Sequence, residues 1–540
     1  MSKVYATPGV YIEEKSAFPN SAVPVATAVP AFVGYTEKAT MNNRDIPNKP
    51  TRISSFGEYL LYFGAGPKTT FEFSAEDNAK DAHTVTVKGS RFYLFDCIKH
   101  FFANGGSDCY IVSIGGYTKK GADGKIGPTT VTKDDFGLMD DQTKGIGTLL
   151  KEPEPTMLVI PDLMALADIE ECYAVQVDML RHCGDKTKSR FAILDVYNGY
   201  LDLRKPATAT VTDNVVAAFR NKISTNFLQW GAVYYPWVNT SITSASDVNF
   251  TNIDSGSYQT LVTFLKAEVG EKNPRKADIE KAIDMLTKKA APAGGATTPP
   301  AAPADGGATP PADGAKEDAV PDDQTLHQTL LAISPRYKAV LNSVRESLNL
   351  LPPSAAMAGI YSMVDNNVGV FQSPANIGMG SVVKPAVNIT SEEQDDLNIP
   401  LNGKAVNAIR TFPGKGILVW GARTLDGNSQ DWRYISVRRT VIYIEQSIKY
   451  AAEPYVFAPN TATTWTNLKA MLTNFLTNVW QQGALAGATA EDAFSVDIGL
   501  GTTMTPVDIL DGYMRIVVRI AVTRPAEFIV ITFEQKMQQS

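Results

Sequence analysis

The sequence predicts an α/β layer on a mainly parallel sheet, followed by an α+β unit. Between Ala28 and Tyr361, short and fully apolar runs alternate with amphipathic helical stretches. That is the rhythm of strands covered on both faces and joined by helical crossovers. After Leu401 the texture changes to two long helical patterns and then strands close to the end. The length supports the reading: 540 residues, 44% hydrophobic and 20% charged, suit two or three domains with a large core.

In chain order, the strand candidates are Ala31–Tyr35, Tyr110–Ile114, Met157–Ile160, Phe191–Val196, Ala232–Trp237 and Ala358–Tyr361. Helical patterns lie between them at 91–103, 168–183, 213–222 and 336–350, and the stretches 65–90 and 115–143 read as polar excursions. Further on, strands are predicted at 417–422, 513–523 and 527–535, and helices at 433–452 and 463–482. These patterns divide the chain into an extended arm at 1–20, an α/β domain at 21–384 and an α+β domain at 385–540. One segment stands apart. Residues 290–323 hold seven Pro and five Gly and no aromatic residue, too little apolar surface to offset the entropy of ordering. Helical patterns flank it (Ile279, Ile283 and Leu286 before; Leu326, Leu330 and Ile333 after). It therefore reads as a solvated insertion between packed elements.

The balance of 50 Lys+Arg against 57 Asp+Glu, a net charge of −7, argues against nucleic acid or an anionic membrane as the main partner. No stretch is apolar enough for a membrane span and the N-terminus lacks a secretory h-region, so assembly in the cytoplasm is expected. Four cysteines without a C-x-x-C pair (Cys97, Cys109, Cys172, Cys183) read as buried free thiols.

Few residues point to chemistry. Gly-Lys at 124–125, 403–404 and 414–415 never completes a phosphate-binding loop. The segment LPPSAAMAGIY (351–361) resembles the serine segment of subtilisin-like proteases, with Ser354 as nucleophile candidate and Asp162 or Asp195 as the acid. That chemistry also needs a histidine base, and His83, His100, His182 and His327 all lie in unsuitable contexts. No spacing matches a metal site. The carboxylates Glu392, Glu393, Asp395 and Asp396 read as a helix start, with Ser391 as N-cap and Gln394 as its box partner. Along 463–482 an apolar stripe (Trp465, Leu468, Leu472, Phe475, Leu476, Val479) faces a core. The opposite face is polar with Lys469 its one charge, which suits contact with another chain.

Ten ordered motifs resemble contractile phage-tail sheath proteins. They begin with TPGVYIEE (7–14), VATAVPAFVGYTEKA (25–39), FFANGGSDCYIVSI (101–114), MLVIPDL (157–163) and LPPSAAMAGIYSMVDNNVGVFQSPAN (351–376). LNGKAVNAIR (401–410), GILVWGARTL (416–425), WRYISVRRTVIYIEQSI (432–448), YVFAPN (455–460) and PAEFIVITFEQ (525–535) continue the series. The chain departs from the family pattern at 65–90 and 290–323. The resemblance implies a structural subunit, without cofactor or metal, that polymerises with itself as six-fold rings around an inner tube protein and contracts to drive that tube through a target membrane. Baseplate and cap or terminator proteins are the other implied partners, with no nucleic acid and no direct membrane insertion. The particle is assembled in a bacterial cytoplasm and then released by lysis or anchored at a membrane. The α/β domain corresponds to the family's subtilisin-like unit, and a degenerate or active subtilisin-like hydrolase is the alternative.

Two sets of contact residues follow. Val4, Tyr5, Val10, Tyr11 and Ile12 at one end, and Phe528, Ile529, Val530, Ile531 and Phe533 at the other, are strong strand formers with no partner nearby in sequence. A polymer can use both as strands donated to a neighbour's sheet; about 20 extended residues reach roughly 65 Å. For the tube, the α+β domain offers Arg438, Arg439 and Lys449 on one helix or Lys469 and Asn474 on the other; the alternative for Arg438 and Arg439 is an internal brace of the domain.

Overall fold

A computed structural model describes residues 24–76, 81–120, 125–137, 140–269, 276–290 and 322–532. Val4, Tyr5, Val10, Tyr11, Ile12 and Phe533, and most of the 290–323 insertion, lie outside the described residues.

The centre is a nine-stranded mixed sheet. Its strands are β1 (Pro30–Thr36), β2 (Thr51–Ile53), β3 (Cys109–Gly116), β4 (Met157–Val159), β5 (Phe191–Asp195), β6 (Gly231–Tyr235), β7 (Ile377–Gly378), β8 (Asn407–Phe412) and β9 (Gly416–Trp420), in the spatial order β7-β9-β8-β6-β5-β4-β1-β3-β2. The six strands from β8 to β3 run parallel, and β2, β9 and β7 close the two sides antiparallel. Strands β1, β4, β5 and β6 are buried along their whole length, which is why their sequences show apolar runs without alternation. Helices α1 (Leu94–Ala103), α2 (Ile169–Arg181), α3 (Val215–Lys222) and α4 (Ser354–Asn367) contribute to the same core. Asp168 and Asn214 cap α2 and α3 by accepting backbone N–H bonds.

Five of the six apolar runs expected as strands lie in the sheet. The exception is Ala358–Tyr361, which sits inside α4. Ten of that helix's fourteen residues, including Ala355, Ala356, Met357, Ala358, Ile360 and Tyr361, are buried. A helix buried on nearly all sides loses the 3.6-residue contrast that distinguishes it from a buried strand. Helix α4 crosses α1 at Gly359, where an added Cβ would stand 2.5 Å from the Phe101 carbonyl oxygen.

The expected polar excursion at 65–90 contains a hairpin, Phe71–Ser74 with Thr84–Val87. Its Phe71 and Phe73 help to build a second, separate core with helices Tyr258–Lys266, Lys276–Ala290, Asp323–Ile333 and Pro335–Leu348. The Pro/Ala insertion joins two helices of this satellite. At 391–398 the cap is Thr390 with Glu393, one residue ahead of the expected Ser391 and Gln394; Gln394 instead bonds the Trp420 carbonyl and Arg410.

The expected break at residue 385 does not match the packing, because β8 and β9 complete the main sheet. A third core begins within helix α5 (Ile435–Ala452): Ile435 and Ile442 pack in the main core, whereas Ile444 packs with Leu468, Leu472, Phe475, Leu476 and Val479 of α6 (Ala462–Gln481). A hairpin of β10 (Phe494–Asp497) and β11 (Val517–Ile520) completes this unit. No helix of the described residues is long and apolar enough to cross a membrane.

The Gly359 crossing gives a direct check. Gly359→Ala should cost roughly 1–3 kcal/mol, because its methyl meets backbone that no rotamer change can move. The measurement is the urea midpoint at an unchanged denaturant slope.

Candidate functional site

Two carboxylates lie at the carboxyl ends of the strands, where an α/β sheet ordinarily meets its ligand, and Asp162 stands where the strand order reverses, between β4 and β1. Asp162 follows β4, next to β1. Its Oδ1 accepts from the N–H groups of Tyr93 (2.6 Å) and Leu94 (2.9 Å) at the start of α1, and its Oδ2 from the N–H of Tyr35 (2.8 Å). A Cβ at Gly34 would stand 2.5 Å from Oδ2, so the Asp162 side chain needs the glycine of AFVGY. Asp195 ends β5 and accepts both the N–H of Ser354 (2.9 Å) and its hydroxyl hydrogen at the start of α4. Both aspartates therefore cap helices from within the core, where the macrodipole favours negative charge. Burial pushes their carboxyls up, Asp162 to about 6 and Asp195 to about 7, against the downward pull of these hydrogen bonds.

Ser354 and Asp195 thus come together, but the histidines are engaged elsewhere. His100 bonds the Gly380 carbonyl, His182 accepts from Arg190, His83 pairs with Ser343 and the Asp81 carbonyl, and His327 pairs with Tyr337. Burial lowers His100 to about 4 and His182 to about 3, which keeps both neutral. Ser354 itself is fully buried and donates its hydroxyl hydrogen bond to a carboxyl group that already serves as a cap. The arrangement braces a fold. All four cysteines are buried and free, and no acidic, His or Cys cluster of metal-binding form occurs among the described residues.

Arg438 and Arg439 face inward, which removes them from the tube contact and matches the alternative reading of an internal brace. Arg439 makes a bidentate pair with Asp365 (2.6 and 2.9 Å), reaches the Thr27 carbonyl (3.0 Å) and lies over the Tyr361 ring. Arg438 is sandwiched between Trp230 (3.7 Å to the ring centre) and Trp432 (4.6 Å). Each attaches α5 to the main body. Sequence reasoning missed Asp365; the one signal for it was an acid closing an otherwise apolar, buried helix. Lys449, Lys469 and Asn474 are exposed.

The third feature is an apolar groove of about 530 Å³ between α5 and the hairpin. Val437, Val441, Ile444 and Ile448 form its floor at helical spacing, and Ile516, Val518, Ile520 and Val522 form its wall. Among the described residues the hairpin has two strands, and β11 pairs along one edge with β10 and along the other with no strand. The described chain begins beside the same helix, with the Val25 N–H donating to Ser447. At the other end Phe528, Ile529, Val530 and Ile531 are 66–88% exposed and form no strand. The expected strand at 527–535 is thus extended chain without a partner as far as residue 532.

Comparison with known proteins bears on this arrangement. The profile of the phage tail sheath C-terminal domain matches residues 428–536, the span that holds α5, α6 and the hairpin. A cryo-EM structure of an extracellular contractile injection system, the PVC sheath complex in its contracted state, aligns over 99% of both chains with a TM-score of 0.54 and 26% identity. The chain is thus similar to contractile sheath proteins over nearly its whole length. A chain in the 6-fold symmetrised baseplate structure of the anti-feeding prophage is as similar as the PVC sheath (26% identity, TM-score 0.55, 99% of this chain and 100% of that one). The tail sheath protein of Burkholderia phage BcepMu is 27% identical over 156 residues, 28% of this chain and 32% of that protein. Matches to the curated sheath proteins thus span a third of their length or less.

The Asp195 cap predicts a pH dependence. An unfolded aspartate releases its proton near pH 4, whereas folded Asp195 holds it to about 7. The folded state binds the extra proton between those values, so stability falls as pH rises through that window. Asp195→Asn should show a smaller change in urea midpoint between pH 5 and pH 8 than the wild type. Asp195→Ala should lose about 1–2 kcal/mol at both, since it strips the cap.

Proposed function

We propose that this chain is the repeating subunit of a contractile sheath. It stacks as six-fold rings around an inner tube, is nucleated at a baseplate, and shortens to drive the tube through a target membrane. The likeness to injection-system sheaths over nearly the whole of both chains carries the reading. No substrate is turned over; the work comes from the free-energy difference between two packings of one subunit. The α/β body is the family's subtilisin-like unit, with its serine and aspartate retained as a helix cap. Assembly takes place in a bacterial cytoplasm, and the particle leaves by lysis or stays anchored to a membrane.

In this reading the chain divides into an arm at 1–20, the sheet-centred body with its satellite, and an inner unit that starts along α5. Subunits are linked by strand exchange. A neighbour's arm lies along the free edge of β11, where alternate side chains enter the groove floored by Val437, Val441, Ile444 and Ile448. The donors are residues 1–17 with Val4, Tyr5, Val10, Tyr11 and Ile12, and the tail with Phe528 to Ile531 and Phe533. An unpaired strand edge beside apolar surface is an aggregation hazard in a monomer, and a polymer removes the hazard by occupying it. The tube contact falls to the exposed Lys449, Lys469 and Asn474, a modest polar surface that lets the tube slide free. The 290–323 insertion extends from the satellite to the outer surface.

Expression should give cylinders of uniform diameter by negative-stain microscopy; discrete soluble particles, or labelling of Ser354 by a serine-directed phosphonate, would favour the hydrolase. Deleting residues 1–17, or replacing Ile529 and Ile531 with Pro, should leave a folded subunit that does not polymerise. Normal cylinders from either variant would sink strand exchange. Exchanging 290–323 for a short Gly/Ser linker should leave cylinders intact.

A further inference from the structure

Three residues about a hundred positions earlier in the chain, Asn398, Arg423 and Tyr434, converge on one carboxylate at the root of the C-terminal tail. Glu527 accepts from Arg423 Nη2 (2.6 Å) and Nε (3.0 and 3.2 Å), from Asn398 Nδ2 (2.7 Å) and from the Tyr434 hydroxyl (3.1 Å). The Arg423 side chain is 3% exposed and that of Glu527 20%. Burial would raise the Glu527 carboxyl, but the bonds from Arg423, Asn398 and Tyr434 outweigh it and hold the group below its ordinary value.

What Arg423 is tied to matters equally. Its backbone N–H donates to Asn407 Oδ1 (2.8 Å), and Asn407 Nδ2 donates to the Arg423 carbonyl (2.8 Å) and to that of Val233 (3.2 Å). Asn407 opens β8 and Val233 lies in β6, so the backbone that carries the guanidinium is fixed to the parallel sheet. Before Glu527, the chain is held by backbone bonds from Ala521 to Ala493 and from Thr523 to Ala484. After it, the apolar tail is exposed.

We propose that Arg423, Asn398 and Tyr434 form an anchor for the root of the tail, so that a pull on residues 528–540 passes into the nine-stranded sheet instead of peeling β11 from β10. This rests on the sheath reading, in which a neighbour holds those residues. The geometry suits the role. Without the anchor a pull acts first on the bonds at 521–523 and then on the four-residue ladder of the hairpin, opening them one after another. With it, the pull meets several charge-assisted bonds together, and these are the stronger kind. Arg423 is a positioning residue: its forked guanidinium meets both carboxylate oxygens, which a lysine cannot do.

The test uses the full chain as wild type, Glu527→Ala, Glu527→Gln and Tyr434→Phe. Amide hydrogen exchange should rise roughly tenfold at 521–527 in Glu527→Ala and less in Glu527→Gln, which keeps the shape and an acceptor oxygen. The smallest rise is expected in Tyr434→Phe, and peptides from β5 and β6 should be unchanged in all three. Cylinders of Glu527→Ala should break under shear to less than half the wild-type median length, with Glu527→Gln between. Exchange at 521–527 that stays at the wild-type rate in Glu527→Ala overturns the anchor. So do cylinders of that variant with wild-type resistance to shear, which would leave the sheath reading standing. A wild type that forms no cylinders removes the sheath reading instead, and the exchange comparison still decides whether Glu527 holds the tail root.

Discussion

The buried ion pair between Arg439 and Asp365 is the contact on which the two halves of the chain depend. Helix α5 serves the main core with Ile435 and Ile442 and the third core with Ile444. A helix shared in this way must be held against both. Hydrophobic contact alone sets no register along a helix axis, whereas a bidentate guanidinium and carboxylate do. The side chains are 4% and 0% exposed, and removing one partner of such a pair typically costs about 3–5 kcal/mol. Arg438, clamped between Trp230 and Trp432 one residue earlier, adds a second fixed point.

The same helix floors the groove beside the hairpin and borders the start of the described chain. Both links to neighbours in the proposed sheath are therefore referred to one rigid element. In the C-terminal direction the tail leaves through the Glu527 cluster, which is tied to β8 and β6 through Arg423 and Asn407. The parallel sheet is then common ground for α5 through Arg439 and α4, and for the tail through Arg423. Its ligand-binding end is closed by Asp162 and Asp195, whose oxygens cap α1 and α4. Side chains at a position that in other α/β folds faces a substrate here hold helices to strands.

Much of this was legible in the sequence. The apolar runs marked five strands of the sheet because parallel strands are buried on both faces, and the periodic helices fell within a few residues of their observed bounds. The misses have separate causes. Ala358–Tyr361 read as a strand because a helix buried all round has no polar face to mark its period. Phe71 and Phe73 were lost within a polar stretch because a short hairpin needs only its inward residues to be apolar. The cut at 385 followed a change of texture, but β8 and β9, which lie inside one flank of the sheet, differ in texture from the strands they pair with.

The sequence by itself determined the fold class, the sheath likeness, and the presence of a strand-forming tail with no local partner, because periodicity, motif order and composition are local properties of the chain. Tertiary structure decided which charges are interactive surface and which are internal. Arg438 and Arg439 look like a basic patch in sequence, yet Asp365, Trp230 and Trp432, all but one of them far away, bury them. Glu527 looks like one acid in a tail until Asn398, Arg423 and Tyr434 surround it. A charge is costly to bury unless its partners are in place, and those partners are brought together only by folding.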